Sequence, residues 1–504
     1  MMRIFFGGVC CLLIVGAPLL ADENEWFVPL GRPPAAPPKR VNAGESFPPL
    51  PLPATPLRRS ENKRQPSPPK LIGKVVWGES GTFTFSTGET ARISDWNLCP
   101  ADAKQLLRKA EGRLGVSYGV DEVTLAGFEG DPEKMPILFF SGTRTLKLDE
   151  KQLVALRGYV LRGGMVIFDS VAGSPYFHDS AAALMRAAFP ESGVRTIPLD
   201  HPLYHMVTDA TKVRYPKNLD ADLPFLEGVY VGSRIGVVIS KFGLGCGWDG
   251  REVPLLPKAV YYDVSSAEKI GLNLVSYAIG YARVGREEAK PEVFGAADEK
   301  KPTDELVFAQ IQHEGAWNAH PNNASCLLQR LRQSSALRVN LKRVNVKPGK
   351  DDLSPFTFLY LTGLDDFQFD GAAVAALRKF FDGGGTLFIN NALGLKTFDQ
   401  AARRELAKIL PGVKLQPAPL NHPIFRTVFN IGEVQYSPAV MTSKGAPNAP
   451  YLEGISLKND LRVIYSPYDI EAGWNALEYP MARTVMPDSA VQLGSNILAY
   501  ALTH

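Results

Sequence analysis

The stretch "LRGYVLRGGMVIFDS", Leu156–Ser170, runs from a helical pattern into a glycine pair, then into a short apolar segment that ends on Asp169. Far downstream "LRKFFDGGGTLFINN", Leu377–Asn391, repeats the pattern with Asn390 in the place of Asp169. An amphipathic segment that stops at glycine and gives way to a short apolar run is the helix-to-strand junction of an α/β domain. A chain that carries the junction twice carries the domain twice.

One constant offset extends the repeat in both directions. It pairs Trp96-Asn97 with Trp317-Asn318, Gly142 with Gly363, Phe177 with Phe398, and "PLDHP" (Pro198–Pro202) with "PLNHP" (Pro419–Pro423). Further on the offset shifts slightly: Gly247-Trp248 matches Gly473-Trp474, and "GLNLVSYAIGY" (Gly271–Tyr281) matches "GSNILAYALTH" (Gly494–His504). A period this long is a domain duplication, not a solenoid. Within each copy helical and strand patterns alternate. "PADAKQLLRKAEGRL", "LDEKQLVALRGYVLRGG" and "AEKIGLNLVSYAIGYA" read as helices, and "PILFFSG", "FTFLYLTG", "MVIFDS" and "TLFINN" as buried parallel strands. The expected fold is α/β: two tandem domains, each a mostly parallel sheet with helices on both faces.

Outside the repeat, Arg3, the apolar run Ile4–Leu20 and Ala21 before "DENE" have the layout of a secretory signal peptide over residues 1–21. An uncleaved anchor is the rival reading, although the run is short for a membrane span. Export to the periplasm or the cell exterior follows, with no transmembrane span after cleavage. Residues 22–70, rich in proline and basic side chains, read as a disordered spacer. The first domain then covers 71–283, a charged linker 284–304, and the second domain 305–504. A net charge of +3 over 504 residues argues against nucleic acid as a partner. Once the signal is removed, Cys99, Cys246 and Cys326 form neither a disulfide framework nor a zinc spacing, and read as buried hydrophobes.

Ligands of open α/β sheets bind at the carboxyl ends of the strands. That rule selects Ser141, Arg144, Asp169 and Ser170 in the first copy, and Thr362, Asp365, Asn390 and Asn391 in the second. Trp96-Asn97 and Trp317-Asn318 precede the first helices and face the same side. His201 and His422 lie in loops that lead towards it, although a structural His-Pro turn, with the imidazole bonded to a nearby carbonyl, explains them as simply. "GVSYG" (Gly115–Gly119) matches the nucleophile-elbow pattern, but it follows a helix and precedes a strand, the reverse of what the elbow needs. No clustered histidines and carboxylates suggest a metal, and no motif implies a cofactor.

The second copy, with "ELVFAQIQHEGAWN", "FLYLTGLDDFQFD", "LRKFFDGGGTLFINNALG", "LNHPIF" and "GSNILAYALT", resembles the bacterial domain-of-unknown-function family numbered 4159. The first copy resembles it over "LRGYVLRGGMVIFDSVAG" and "LDHPLYHMV". The resemblance implies a flavodoxin-like domain, related in fold to class I glutamine amidotransferases and ThuA-like proteins, often exported. It also implies a histidine after the "TG" turn, where this chain has Thr143 and Leu364, and an acid after the glycine-pair strand, kept only as Asp169. The amidotransferase cysteine is missing. Two functions follow: a non-catalytic envelope module binding a protein or polysaccharide partner, or a hydrolase or ligand-processing enzyme with Asp169 and His201 as acid and base. The second requires those two side chains to meet in an open cleft.

Overall fold

The computed structural model describes residues 22–31, 69–115, 117–288, 290, 306–334, 339–443, 445–447 and 449–504. The first copy contributes β1 (Lys70–Val76), β2 (Ser80–Thr84), β3 (Thr90–Ser94), β4 (Gly119–Thr124), β5 (Ile137–Gly142), β6 (Met165–Ser170), β7 (Arg195–Thr196), β8 (Leu226–Val231) and β9 (Arg234–Ser240). The second contributes β10 (Leu306–Ile311), β11 (Val339–Val346), β12 (Phe358–Gly363), β13 (Thr386–Asn391), β14 (Gln416–Pro417), β15 (Glu453–Leu457) and β16 (Asp460–Ser466).

Each copy builds one seven-stranded sheet, in the orders β4-β1-β5-β6-β9-β8-β7 and β11-β10-β12-β13-β16-β15-β14. The first five strands of each order run parallel, β8 and β15 run against them, and the short β7 and β14 pair antiparallel with β8 and β15. The central strands β5, β6, β12 and β13 are buried at every residue, as strands covered by helices on both faces must be. The quoted runs "MVIFDS" and "TLFINN" are β6 and β13 residue for residue. β2 and β3 form a separate hairpin that, among the described residues, has no counterpart in the second copy.

The glycine pair earns its place twice. Gly163 and Gly384 sit at φ +102° and +86°, where the helices Glu150–Leu161 and Gly371–Asp382 stop. The next glycine lies flat against an aromatic ring of its own helix. A Cβ on Gly164 would come within 2.3 Å of Tyr159, and one on Gly385 within 2.2 Å of Phe380. The first of these helices opens on a capping box between Asp149 and Gln152.

Two sequence expectations change. Asp22–Gly31 is not part of a spacer: Glu23–Trp26 forms a 3-10 turn, and Trp26 and Leu30 are buried against the first copy. The remainder of the proline-rich segment, 32–68, lies outside the described residues, as do 1–21 and most of the linker, 291–305. The linker also begins later than expected. Ala282–Glu288 is a helix, and Glu288 is buried.

The copies pack head to tail. One continuous apolar cluster joins Tyr277, Tyr281, Leu203 and Tyr204 of the first copy to Leu364, Leu393, Ala472 and Tyr479 of the second. Leu364 follows β12 and Leu393 follows β13, so the flank of the first copy covers the strand-end face of the second. The strand-end face of the first copy is covered by Asp22–Leu30.

Candidate functional site

The carboxyl ends of β6 and β13 hold two different solutions to one problem: a polar side chain at the sheet centre must be satisfied without water. In the first copy Asp169 is fully buried. Its Oδ1 accepts the Leu244 N–H at 2.6 Å and its Oδ2 the Gly245 N–H at 2.8 Å. Burial raises its carboxyl to about 7, against the pull of those two amides. In the second copy Asn390 Oδ1 accepts the equivalent amide, that of Ile470, at 2.8 Å. Its Nδ2 donates to Asp469 Oδ1 at 2.8 Å. Asp469 stands where the first copy has Gly243. The acid has moved one strand over, and asparagine bridges the gap.

Asp469 anchors a larger network. Its Oδ2 accepts from the Leu393 N–H at 2.8 Å and faces His320 Nε2 at 2.8 Å. His320 Nδ1 reaches Glu288 Oε1 at 3.1 Å, so an imidazole of the second copy is held between its own Asp469 and a carboxylate delivered by the last helix of the first. Glu288 also accepts from Ser233 N–H and Oγ, at 3.1 and 2.8 Å, and from Tyr479 OH at 3.3 Å. All three ionisable groups are buried. Burial alone would lower the His320 pKa, but the two acids outweigh it and hold the imidazolium well above its ordinary range. Burial likewise opposes ionisation of Asp469, and His320 with Asn390 and Leu393 overcomes it, leaving the carboxyl below its usual value. Nearby Glu471 accepts from Tyr360 OH at 2.6 Å, and burial raises it to about 7.

The first copy fills the same space differently. Cys99 replaces His320, and Gly243 and Gly245 replace Asp469 and Glu471. Lys74 and Asp102 form a buried ion pair at 2.8 Å where the second copy has the amides Gln310 and Asn323. Lys74 also donates to Asn97 Oδ1 at 3.0 Å and to the Cys99 carbonyl at 2.7 Å. Burial keeps Asp102 above its ordinary pKa despite Lys74.

Asp169 and His201 do not form an acid–base pair. Both are fully buried, and they share no hydrogen bond. His201 caps the turn Pro202–His205 by accepting the Leu203 N–H at Nδ1, 3.2 Å, between the rings of Tyr230 and Tyr277. Burial drives its pKa down to about 3, so it stays neutral. His422 caps Pro423–Phe425 in the same way through Ile424 N–H. Both histidines are structural, and each accepts a backbone N–H rather than bonding a carbonyl.

Most of the other expected residues are also spent on structure. Ser141 donates to the Trp96 carbonyl, and Ser170 is buried with its hydroxyl unpaired in the protein. Thr362 meets Asn390 and His313, and Asn391 donates to Pro467. Arg144 is held bidentately by Asp95, at 2.7 and 2.6 Å, and stacks on Phe27 of the N-terminal segment. Asp365 binds Arg195 of the first copy at 3.0 Å. Trp96 and Asn97 line a small cleft of about 260 Å3 with Lys74 and Asp102.

Trp317 and Asn318 have a different setting. They line a cleft of about 630 Å3 between the copies, together with Arg195, Tyr230 and Glu288 of the first. Arg343 donates to Asn318 at 2.8 Å and stacks over Trp317. The Tyr230 hydroxyl is itself buried, without a hydrogen-bond partner in the protein. Among the described residues, no three His, Cys, Asp or Glu side chains are grouped to hold a metal ion, and no helix is long and apolar enough to cross a membrane.

Glu288, His320, Asp469 and Glu471 escaped the sequence reading, yet a signal was present. Aligned on the Gly-Trp pair, "GLGCGW" of the first copy stands against "DIEAGW" of the second, two glycines against two acids.

The architecture is that of a tandem α/β protein with two mostly parallel sheets, in which one domain seals the strand-end face of the next. Residues 87–279 and 307–502 each match the family described as Domain of unknown function (DUF4159), and the chain belongs to that family as two consecutive copies. Among curated proteins none matches it.

Proposed function

We propose that the protein is an exported, non-catalytic binding module of the cell envelope, and that its ligand enters the cleft between the two domains. One observation carries this reading: most of the polar groups at both sets of strand ends are bonded to the chain itself, whereas the inter-domain cleft is open. Its volume suits a small ligand or a short stretch of polymer. The part-exposed Trp317, with Asn318 and Arg195 around it, offers an aromatic face beside hydrogen-bonding groups. That combination suits a sugar, whose C–H faces stack and whose hydroxyls pair. A polysaccharide is therefore the partner class. Export rests on the layout of residues 1–21. A flavodoxin-like, amidotransferase-related ancestry is supported by the central parallel order of the sheets, and the site chemistry of such enzymes has no counterpart at these strand ends.

The test is to titrate the full chain with soluble peptidoglycan fragments and N-acetylglucosamine oligomers, following tryptophan emission, and then to examine the sugar by mass spectrometry after prolonged incubation. Saturable binding that Trp317→Ala abolishes, with the sugar unchanged, is expected. A cleaved product overturns the non-catalytic reading. Absence of saturable binding overturns the polysaccharide assignment of the cleft. Fractionation and N-terminal sequencing of the mature chain test export.

A further inference from the structure

The groove at the carboxyl end of the first sheet is occupied by a peptide. Asp22–Leu30 lies across it as a ligand would. Trp26 and Leu30 are 8% and 1% exposed, in an apolar cluster with Ile93, Leu98, Val171 and Cys246. Phe27 is held between the Arg144 guanidinium, 4.1 Å from its ring centroid, and Gly81 of the β2–β3 hairpin. The polar contacts are equally specific. Glu23 Oε2 accepts from Thr145 Oγ1 at 2.6 Å and from its N–H at 3.3 Å, Asn24 Oδ1 accepts from Arg144 at 3.4 Å, and the Trp26 carbonyl accepts from Thr143 Oγ1 at 2.9 Å. The groove thus reads an acid, a Trp-Phe pair and a leucine in sequence, from a segment joined to the body only through residues 32–68.

We propose that this face of the first domain is a peptide-binding groove for acidic–aromatic segments of the pattern E-N-x-W-F-x-x-L, with the chain's own Asp22–Leu30 as an exchangeable resident. Among the described residues, the β2–β3 hairpin, which supplies one wall, is found in the copy that has this occupant and not in the other. Thr143 and Arg144, which hold the peptide, become Leu364 and Asp365 in the second copy, where a domain rather than a peptide covers the face. The tether explains why the resident prevails. A covalent link of this length sets an effective concentration of up to about millimolar, so an external peptide competes only when the link is cut or its affinity is high.

The experiment places a specific protease site within residues 32–68 of the full chain and nicks it. Exchange of a fluorescent peptide with the sequence of Asp22–Gly31 into the nicked protein is then followed by anisotropy. Expected is saturable exchange on dilution, little uptake by the un-nicked chain, and a Trp26→Ala peptide that competes at least tenfold less well, with ~100-fold or more as the value for a fully buried indole. Thr145→Ala in the body weakens the native peptide more than a Glu23→Gln peptide. The proposal is overturned if the nicked fragment neither leaves nor exchanges, if it leaves and no labelled peptide binds, or if the Trp26→Ala peptide competes within tenfold of the native one. These outcomes are independent of whether the inter-domain cleft takes a sugar.

Discussion

Replacing His320 by alanine should loosen the joint between the two domains, by an amount that depends on pH. In the native protein the imidazolium lies between Asp469 at 2.8 Å and Glu288 at 3.1 Å, with all three groups buried. After the substitution Asp469 keeps the Leu393 and Ala472 amides and Asn390, and Glu288 keeps Ser233 and Tyr479. No oxygen is stripped of every hydrogen bond, but both acids lose their cation. Removing one partner of a buried ion pair costs ~3–5 kcal/mol. We take ~4 kcal/mol, because the remaining donors soften the loss while the vacated imidazole volume adds to it. The pH dependence has a defined sign. The folded pKa of His320 is raised, so its contribution is complete below the unfolded value of about 6.5 and disappears as pH climbs through the folded value. The gap between wild type and His320→Ala should hold steady from about pH 4.5 to 6.5, then shrink by up to ~1.4 kcal/mol per pH unit. Asp469 carries the opposite sign: its pKa is lowered, and its contribution fades below about pH 4. Urea unfolding followed by circular dichroism at pH 6, 7.5 and 9 measures the gap. Hydrogen exchange over 312–322 and 467–475 locates it, since two domains need not unfold together. A difference under ~1 kcal/mol at pH 6, or one that stays constant up to pH 9, would refute the reasoning.

Asp169→Asn should reverse a pH trend. The native carboxyl sits at about 7 against an unfolded value near 3.9, so wild-type stability falls as pH rises across that window, by at most ~4 kcal/mol. The amide removes this slope while turning an NH2 group towards the Leu244 or Gly245 N–H, at ~1–3 kcal/mol. Urea midpoints at pH 4.5 and 8 should show the variant gaining on wild type as pH increases. His201→Asn retains a capping acceptor and removes a base held down to about 3, whose neutrality costs stability as pH falls from about 6.5. The variant should be less stable at pH 7, from lost ring packing, and should close the gap by pH 4 in an acid titration followed by circular dichroism. Gly232→Ala places a Cβ 2.3 Å from Glu288 Oε2 at a φ of +63°. It should cost ~2–3 kcal/mol, and much less in a Glu288→Ala background, a non-additivity that a double-mutant cycle reads directly.

Much of the fold was legible because its determinants are local. The runs "MVIFDS" and "TLFINN", the Asp149 cap and the Gly163 stop each carry their structure within a few residues, and the repeat confirms each reading with a second copy. The site was not legible in the same way. The strand-end rule located Asp169 and Asn390 correctly, but position does not reveal what lies above a residue. That cover comes from segments remote in sequence: Asp22–Leu30 over one face and the flank of the first domain over the other. Glu288 was lost in a charged stretch whose composition resembles a linker, because burial of one carboxylate depends on a histidine 32 positions away. Asn390 looked like a lost function when read alone. With Asp469 and Gly243 in view, it is half of a compensated exchange.

The head-to-tail contact has a consequence for assembly. Equal modules joined tail to head define an open-ended rule, and repeated between molecules such a rule produces a filament. This chain breaks it at the surfaces that would have to meet next. The cation Arg195 and the acid Asp200, which grip Asp365 and the Lys396 amide at the internal joint, are Gln416 and Asn421 on the second tail. Tyr281, which donates to the Pro480 carbonyl there, corresponds to His504. On the first head, Arg144 replaces Asp365 and Cys99 replaces His320, and the N-terminal peptide already fills the seat. The residues that make the internal contact are therefore not repeated at the next pair of surfaces, and the N-terminal segment lies over one of them.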